Sequence, residues 1–312
     1  MASETGWAAG VSDAVAAAVR GYVRYAPGTL GKGILAARYL NPYLREHPRE
    51  QQVRACLDTT FVVDTRDLIQ RYIGLYGTWE PHLTAWLRHR LRPGDGFIDV
   101  GANIGYFAVV ASRLVGPQGR VVTVEASPQF HEKILLHIDL NNSTNVRAVN
   151  AAVSDKNESL TFVLASTNNL GANSIVPYDG PAESVFTTQA QPLPELLEPA
   201  EIAQARVLKI DVEGSEGRVI RGLAPILDQL RPDAEIVVEV EPDRMLTLGD
   251  DIAELLTTMG DHGFHTYRLP TDYRPESYPH ALRNPQPPIR LHEAIVGETE
   301  LVFSRIDAAI LV

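Results

Sequence analysis

From Gly96 onward, apolar and polar positions alternate in a regular beat. A short apolar run, FIDVG (97–101), leads into IGYFAVVASRLVG (104–116), where apolar residues recur at helical spacing until Gly116 and Pro117 stop them. The beat repeats with RVVTVEA (120–126) as strand, PQFHEKILLHIDLNN (128–142) as helix and VRAVNAAVS (146–154) as strand. LTFVLA (160–165) reads as an added extended run. ARVLKIDVEG (205–214), EGRVIRGLAPILDQL (216–230), AEIVVEVE (234–241) and DIAELLTTMGDHG (251–263) continue it as strand, helix, strand, helix. FHTYRLP (264–270) and TELVFSRI (299–306) read as two last strands with no helical pattern between them, so they should pair antiparallel. The pattern predicts an α/β fold: a doubly wound sheet of about seven strands, mostly parallel, with the last strand antiparallel.

The residues before this core follow no such beat. Residues 1–25 place Ala and Val at helical spacing, and Gly, Pro and Tyr break the pattern through about residue 45. FVVDT (61–65) alternates as a short strand, and RDLIQRYIGLYG (66–77) and PHLTAWLRHRL (81–91) read as helices. The second opens on Pro81, where a missing N–H costs nothing. We expect a helical and extended N-terminal cap segment over 1–75 and one main domain over 76–312. Residues 270–290, rich in proline, read as a surface loop.

Charge narrows the classes of partner. The chain of 312 residues has a formal net charge of −11 and no dense Lys/Arg cluster, which disfavours a phosphate backbone as partner. NPYL (41–44) is only a partial match to the Asn-Pro-Pro-Tyr motif of amino-group methylation and lies far before the glycine turn, so no nucleic-acid partner is expected. The single cysteine, Cys56, can form neither an internal disulfide nor a zinc site, which fits a reducing, cytoplasmic setting. No apolar run reaches the roughly 20 residues that span a bilayer, and no membrane partner is expected. A homo-oligomer is compatible with the sequence.

The chemistry concentrates at strand ends. In DVGANIGYF (99–107), Gly101 allows a sharp turn beside a ligand and Gly105 a close helix start, whose free N–H groups favour a carboxylate. Glu125, ending the next strand, stands at the distance typical of an acid that binds a ribose diol. The turn is not the G-x-G-x-x-G made for a pyrophosphate, so S-adenosylmethionine is preferred over NAD as cofactor. NAAVSD (150–155) ends the third strand, where Asp155 could accept from an adenine amino group, or simply belong to a polar turn. In LKIDVEGSE (208–216), Lys209, Asp211 and Glu213 alternate and should share one face of a strand end. Buried unpaired charges there would be costly, so a functional site or a local Lys–carboxylate pair accounts for them.

FIDVGANIGYFAVVASRLVGPQGRVVTVEASP, NVRAVNAAVSDKNESLTF, LGANSIV (170–176) and VLKIDVEGSEGRVIRGL, in this order and spacing, resemble the FkbM-type methyltransferase family over about residues 75–270. The resemblance implies a class I methyltransferase (Rossmann-like) fold that uses S-adenosylmethionine. It further implies that Asp99, Gly101, Asn103 and Gly105 frame the methionine part, that Glu125 holds the ribose, that Asp155 lies by the adenine, and that Ala126, Ser127 and Val153 also belong to the cofactor site. Asp211 and Glu213 would face the transferred methyl and the acceptor as catalytic residues. YGTWEP (76–81) resembles the family's segment before the core, with Glu80 near the methionine ammonium and Trp79 either closing over the cofactor or packing in the core.

The implied reaction is O-methylation of a hydroxyl on a sugar, polyketide or other natural product, with a small molecule or glycan as acceptor. N-methylation of a peptide or small-molecule nitrogen, and a non-catalytic fold that only binds the cofactor, are the alternatives. In-line attack on the sulfonium methyl needs positioning and a base, for which Asp211 or Glu213 is the choice over His262, His265 and His292. No metal is assigned. A divalent cation on Asp211 and Glu213, with Glu239 or Glu241 as third ligand, is the disfavoured alternative. The Ala-rich first segment and residues 165–200 are expected to build the acceptor pocket.

Overall fold

The computed structural model describes residues 4–164, 173–174 and 184–312. It divides into two compact units, Met1–Pro81 with Asp272–Pro285, and His82–Thr271 with Gln286–Val312. The cap segment expected over 1–75 lies in the first unit, which also takes in 76–81 and most of the Pro-rich loop.

In the first unit, a helix spans Glu4–Tyr25 and a hairpin pairs β1 (Glu50–Arg54) antiparallel with β2 (Thr60–Asp64). A helix over Leu68–Tyr76 is capped at its start by Asp67, whose side chain accepts from the Gln70 N–H, and ends on left-handed Gly77. The stretch expected to be broken by Gly, Pro and Tyr instead coils as successive helical segments, Lys32–Leu35, Ala36–Leu40 and Asn41–Glu46. Pro42 is tolerated because it falls at the first turn of the last segment. Asn41 of the NPYL stretch uses its side-chain oxygen to accept from Arg71 Nε at 3.1 Å.

The second unit is built on an eight-stranded sheet. Its strands are β3 (Gly96–Val100), β4 (Arg120–Glu125), β5 (Val146–Asn150), β10 (Ala205–Ile210), β11 (Glu235–Val240), β12 (His265–Leu269), β13 (Ile289–Arg290) and β14 (Thr299–Ser304). They lie in the order β13-β12-β14-β11-β10-β3-β4-β5. Strands β5, β4, β3, β10 and β11 run parallel, and β14 inserts antiparallel between β11 and β12. Leaving aside the two-residue edge β13, this is the seven-stranded class I methyltransferase arrangement with its final strand reversed. The order reverses at β3, the first strand: β4 lies on one side and β10 on the other, so a crevice opens beyond their carboxyl ends. All five residues of β3 are buried, as a central parallel strand covered on both faces requires.

Three expected elements are cut short, each for a local reason. The strand 146–154 breaks at Ala151, whose N–H turns to the Glu125 carbonyl. β6 (Ala152–Val153) then joins a separate small sheet with β7 (Glu158–Leu164), β8 (Asn173–Ser174) and β9 (Ser184–Gln191). The helix 216–230 is α-helical over Glu216–Leu223 and tightens to a 3-10 helix over Ala224–Gln229, because Pro225 cannot donate to an α turn. The strand 205–214 stops at Ile210, since Glu213 (φ +55°) and Gly214 (φ +106°) in succession cannot extend a strand. Of LGANSIV, only Asn173 and Ser174 fall among the described residues, and the expected pocket segments 165–172 and 175–183 lie outside them.

Candidate active site

The glycine turn carries the first half of the site. Gly101 has φ +78°, and a Cβ there would sit 1.7 Å from the carbonyl oxygen of Asp211. Only glycine lets the end of β3 approach the end of β10 so closely. The turn is tied down from β4, because Gly101 N–H donates to the Val124 carbonyl at 2.9 Å. Gly105, also at φ +78°, starts the helix Tyr106–Val115 and rests on Ile134 of the helix Pro128–Leu140. That helix braces the turn a second time through buried His137, whose Nδ1 meets the Ile104 carbonyl at 2.7 Å.

Glu125 is buried at the end of β4 and is held by two backbone donors. Asn103 N–H donates to Oε2 and Ser127 N–H to Oε1, each at 2.8 Å. Each oxygen keeps a further lone pair, so the carboxylate remains able to accept from a diol. Burial pushes its carboxyl up to about 7, against the pull of the two N–H groups. Asn103 adopts φ +54° to present its N–H. Ser127 also caps the helix Pro128–Leu140, its Oγ accepting from Phe130 N–H at 3.4 Å. Asn150 donates to the carbonyls of Glu125 and Ala126 at 2.8 and 3.2 Å, which joins the ends of β4 and β5.

The second half gathers carboxylates. Asp99 is buried in β3, and burial pushes its carboxyl up to about 6 while Lys209 pulls it down. Lys209, only 4% exposed, donates to Asp211 Oδ2 at 2.8 Å, the local pair that strand alternation allowed for, and lies 5.2 Å from the Phe107 ring centre. Glu213 does not share that strand face, because it stands in the turn after the strand and pairs with Arg244 of the helix Pro242–Thr247. Burial and the Asp211 charge raise the Glu213 carboxyl to about 8, with Arg244 opposing. The turn is bridged from within by buried Glu216, whose Oε1 accepts from Val212 and Gly214 N–H at 3.2 and 3.0 Å.

Three residues assigned to the cofactor have structural partners. Asp155 lies against the helix Glu216–Leu223 and accepts from Arg221 Nε at 3.1 Å, and Arg221 also holds buried Asp250. Val153 packs into the core with Val124 and Leu193. Glu80 belongs to the first unit, where it has φ +41°, is buried, and accepts from the Tyr273 hydroxyl at 3.0 Å. Trp79 stacks on the same Tyr273 ring at 5.0 Å. His262 pairs with Asp228, and His265 with Arg290. Glu241 caps the helix Pro242–Thr247 through Arg244 N–H. Among the described residues no three His, Cys, Asp or Glu side chains are grouped to hold a metal ion.

Sequence reasoning missed Glu216, Arg244, His137 and Asn150. Glu216 had a usable signal, a carboxylate just after a glycine turn where it can reach back to free N–H groups. The others arrive from other elements and carry no local mark.

Comparison with known proteins places this geometry in a family. The methyltransferase FkbM domain matches residues 99–266, more than half of the chain. A protein-L-isoaspartate O-methyltransferase of Ignicoccus hospitalis is 28% identical over 160 residues, covering 47% of this chain and 67% of that protein. The same enzyme of Methanococcus aeolicus is 27% identical over 155 residues, covering 49% and 63%. The chain thus spans about two thirds of the length of these curated relatives. Among solved structures, a methyltransferase FkbM from Methylobacillus flagellatus aligns with a TM-score of 0.39 and 13% identity, over 76% of this chain and 52% of that one. Aeropyrum pernix fibrillarin, solved with bound S-adenosyl-L-methionine, aligns with a TM-score of 0.41 and 12% identity over 82% of each chain. Scores this low leave the fold assignment to the strand order itself. The family match covers both halves of the site, from Asp99 through Glu125 to Glu213: the chain belongs to the FkbM family of S-adenosylmethionine-dependent methyltransferases.

Proposed function

We propose that this protein transfers the methyl group of S-adenosylmethionine to a hydroxyl oxygen of a small-molecule or glycan acceptor. The observation that carries the reading is the apposition of Gly101 and Asp211, which sets the cofactor turn directly against the carboxylate-bearing turn. In this reading Gly101, Asn103 and Gly105 receive the methionine end, and Glu125 accepts the ribose hydroxyls. The sulfonium supplies an electrophilic methyl when the cofactor is bound. The chain's own residues orient the acceptor oxygen in line and take its proton, and that alignment is a large share of the acceleration available. Glu213 is the stronger choice of base, since a carboxyl raised to about 8 is better matched to a hydroxyl near neutral pH than an ordinary one. Asp211, tied to Lys209, orients the acceptor. Oxygen rather than nitrogen as acceptor atom is in keeping with curated relatives named O-methyltransferases.

The test is a transfer assay with methyl-labelled cofactor against matched hydroxyl and amine acceptors, with Asp211→Asn and Glu213→Gln alongside. Label should reach hydroxyl acceptors, and both variants should bind cofactor normally while losing turnover. Label entering only amines, or full turnover in both variants, would refute the assignment.

A further inference from the structure

One surface of the first unit is left over by the catalytic reading. The helix Glu4–Tyr25 and the helical segments from Lys32 form a hairpin whose connection projects apolar side chains into solvent. Tyr25 is 76% exposed, Leu30 85% and Ile34 60%, and Val15 and Tyr22 on the helix are exposed as well. The helix and the connection are tied together here. The Tyr22 hydroxyl donates to the Leu30 carbonyl at 2.7 Å, the Lys32 ammonium lies 5.8 Å from the Tyr22 ring centre, and Leu30 and Ile34 are four residues apart. Among the described residues no other stretch of this length exposes so many large apolar side chains.

Charge says what this patch fits. Residues 14–45 hold Arg20, Arg24, Lys32, Arg38 and Arg45 and no acidic residue, in a chain whose net charge is −11; Arg20, Arg24 and Lys32 are bonded inward, to Gln51, to the Gly74 and Arg54 carbonyls and to the Ala26 carbonyl. Arg38, one turn beyond Ile34, is exposed, and so is Arg283, whose charge acts on Lys32. Glu276, whose backbone packs on Gly33, is the acid beside them. Apolar tips flanked by the exposed cations Arg38 and Arg283 match a surface that is greasy below and anionic above. A protein partner of the same sign pattern would need an acidic rim around an apolar pocket, whereas an anionic bilayer supplies both everywhere.

We propose that the Tyr22–Ile34 hairpin tip docks this protein on an anionic lipid surface, with Tyr25, Leu30 and Ile34 entering the headgroup region and Arg38 and Arg283 meeting the lipid phosphates. That no helix among the described residues is long and apolar enough to cross a membrane does not oppose this, because docking in the interface needs no span. It departs from the expectation of no membrane partner drawn from the sequence.

The experiment is co-sedimentation of the full chain with vesicles of phosphatidylcholine alone and with vesicles containing phosphatidylglycerol, at low and high salt. Binding should appear with the anionic vesicles, be absent with the neutral ones, and weaken as salt rises. Leu30→Glu and Arg38→Glu should each lower the partition by roughly tenfold or more. Both side chains are exposed, so unchanged circular dichroism and unchanged S-adenosylmethionine binding identify the loss as one of docking. Equal binding to both vesicle types, no binding to either, or no effect of the two variants would overturn the proposal. So would a concentration-dependent dimer that Leu30→Glu dissolves, since a second copy would then be the occupant.

Discussion

Replacing Gly101 with alanine tests the junction on which the site is built. The left-handed backbone at φ +78° costs a non-glycine residue roughly 1–2 kcal/mol. The added Cβ would lie 1.7 Å from the Asp211 carbonyl oxygen, where real contacts stay beyond 3.0 Å, so the end of β10 must retreat by more than about 1 Å. Overpacking of this kind costs about 1–3 kcal/mol. Reduced freedom of the unfolded chain returns about 0.4–1 kcal/mol. The net expectation is a loss of about 2–4 kcal/mol. The control is Gly263→Ala, with φ +77° and no atom within 4 Å of the added carbon, which should lose about 1 kcal/mol from backbone strain alone. Urea denaturation followed by circular dichroism measures both. Because the retreat displaces Asp211, transfer should also fall by about a hundredfold in Gly101→Ala and not in the control. Equal stability losses in the two variants, with cofactor binding intact in both, would show that the turn does not press on Asp211.

Protonation of Glu125 competes with a diol, so S-adenosylmethionine affinity should fall about tenfold between pH 8 and pH 6, and calorimetry on Glu125→Gln should show a weak but pH-independent site. The transfer rate should rise with pH toward a plateau above about 8, and Glu213→Gln should remove that limb from the profile. Glu125 and Glu216 both have folded values near 7, above their unfolded ones, so the folded state binds the extra protons. Stability of the cofactor-free protein should therefore be greatest near pH 5 and decline as pH rises through 7, and a flat thermal profile over that window would contradict the burial argument. Glu216→Ala leaves the Val212 and Gly214 N–H groups without their acceptor and should cost about 1–3 kcal/mol, with Glu216→Gln recovering part of it in the same denaturation assay.

The parallel sheet, its reversed final strand, the glycine turn and Glu125 were legible in the sequence because each follows from local chemistry. Period-two and helical apolar spacing mark strands and helices, and glycine is required where a left-handed turn meets another strand too closely for a Cβ. Elements end earlier than their apolar pattern suggests where a proline interrupts the α turn, as at Pro225, or where the chain changes sheets, as at Ala151. The tertiary structure alone decided which charges meet. Glu213 faces Arg244, Asp155 faces Arg221, and His137 braces Ile104, each across tens of residues. Such pairs are selected by packing and by the cost of burying an unpaired charge, and neither leaves a pattern along the chain. The same holds for the exposed hairpin tip: the sequence shows apolar and basic residues, but only the folded first unit shows which of them stay in solvent.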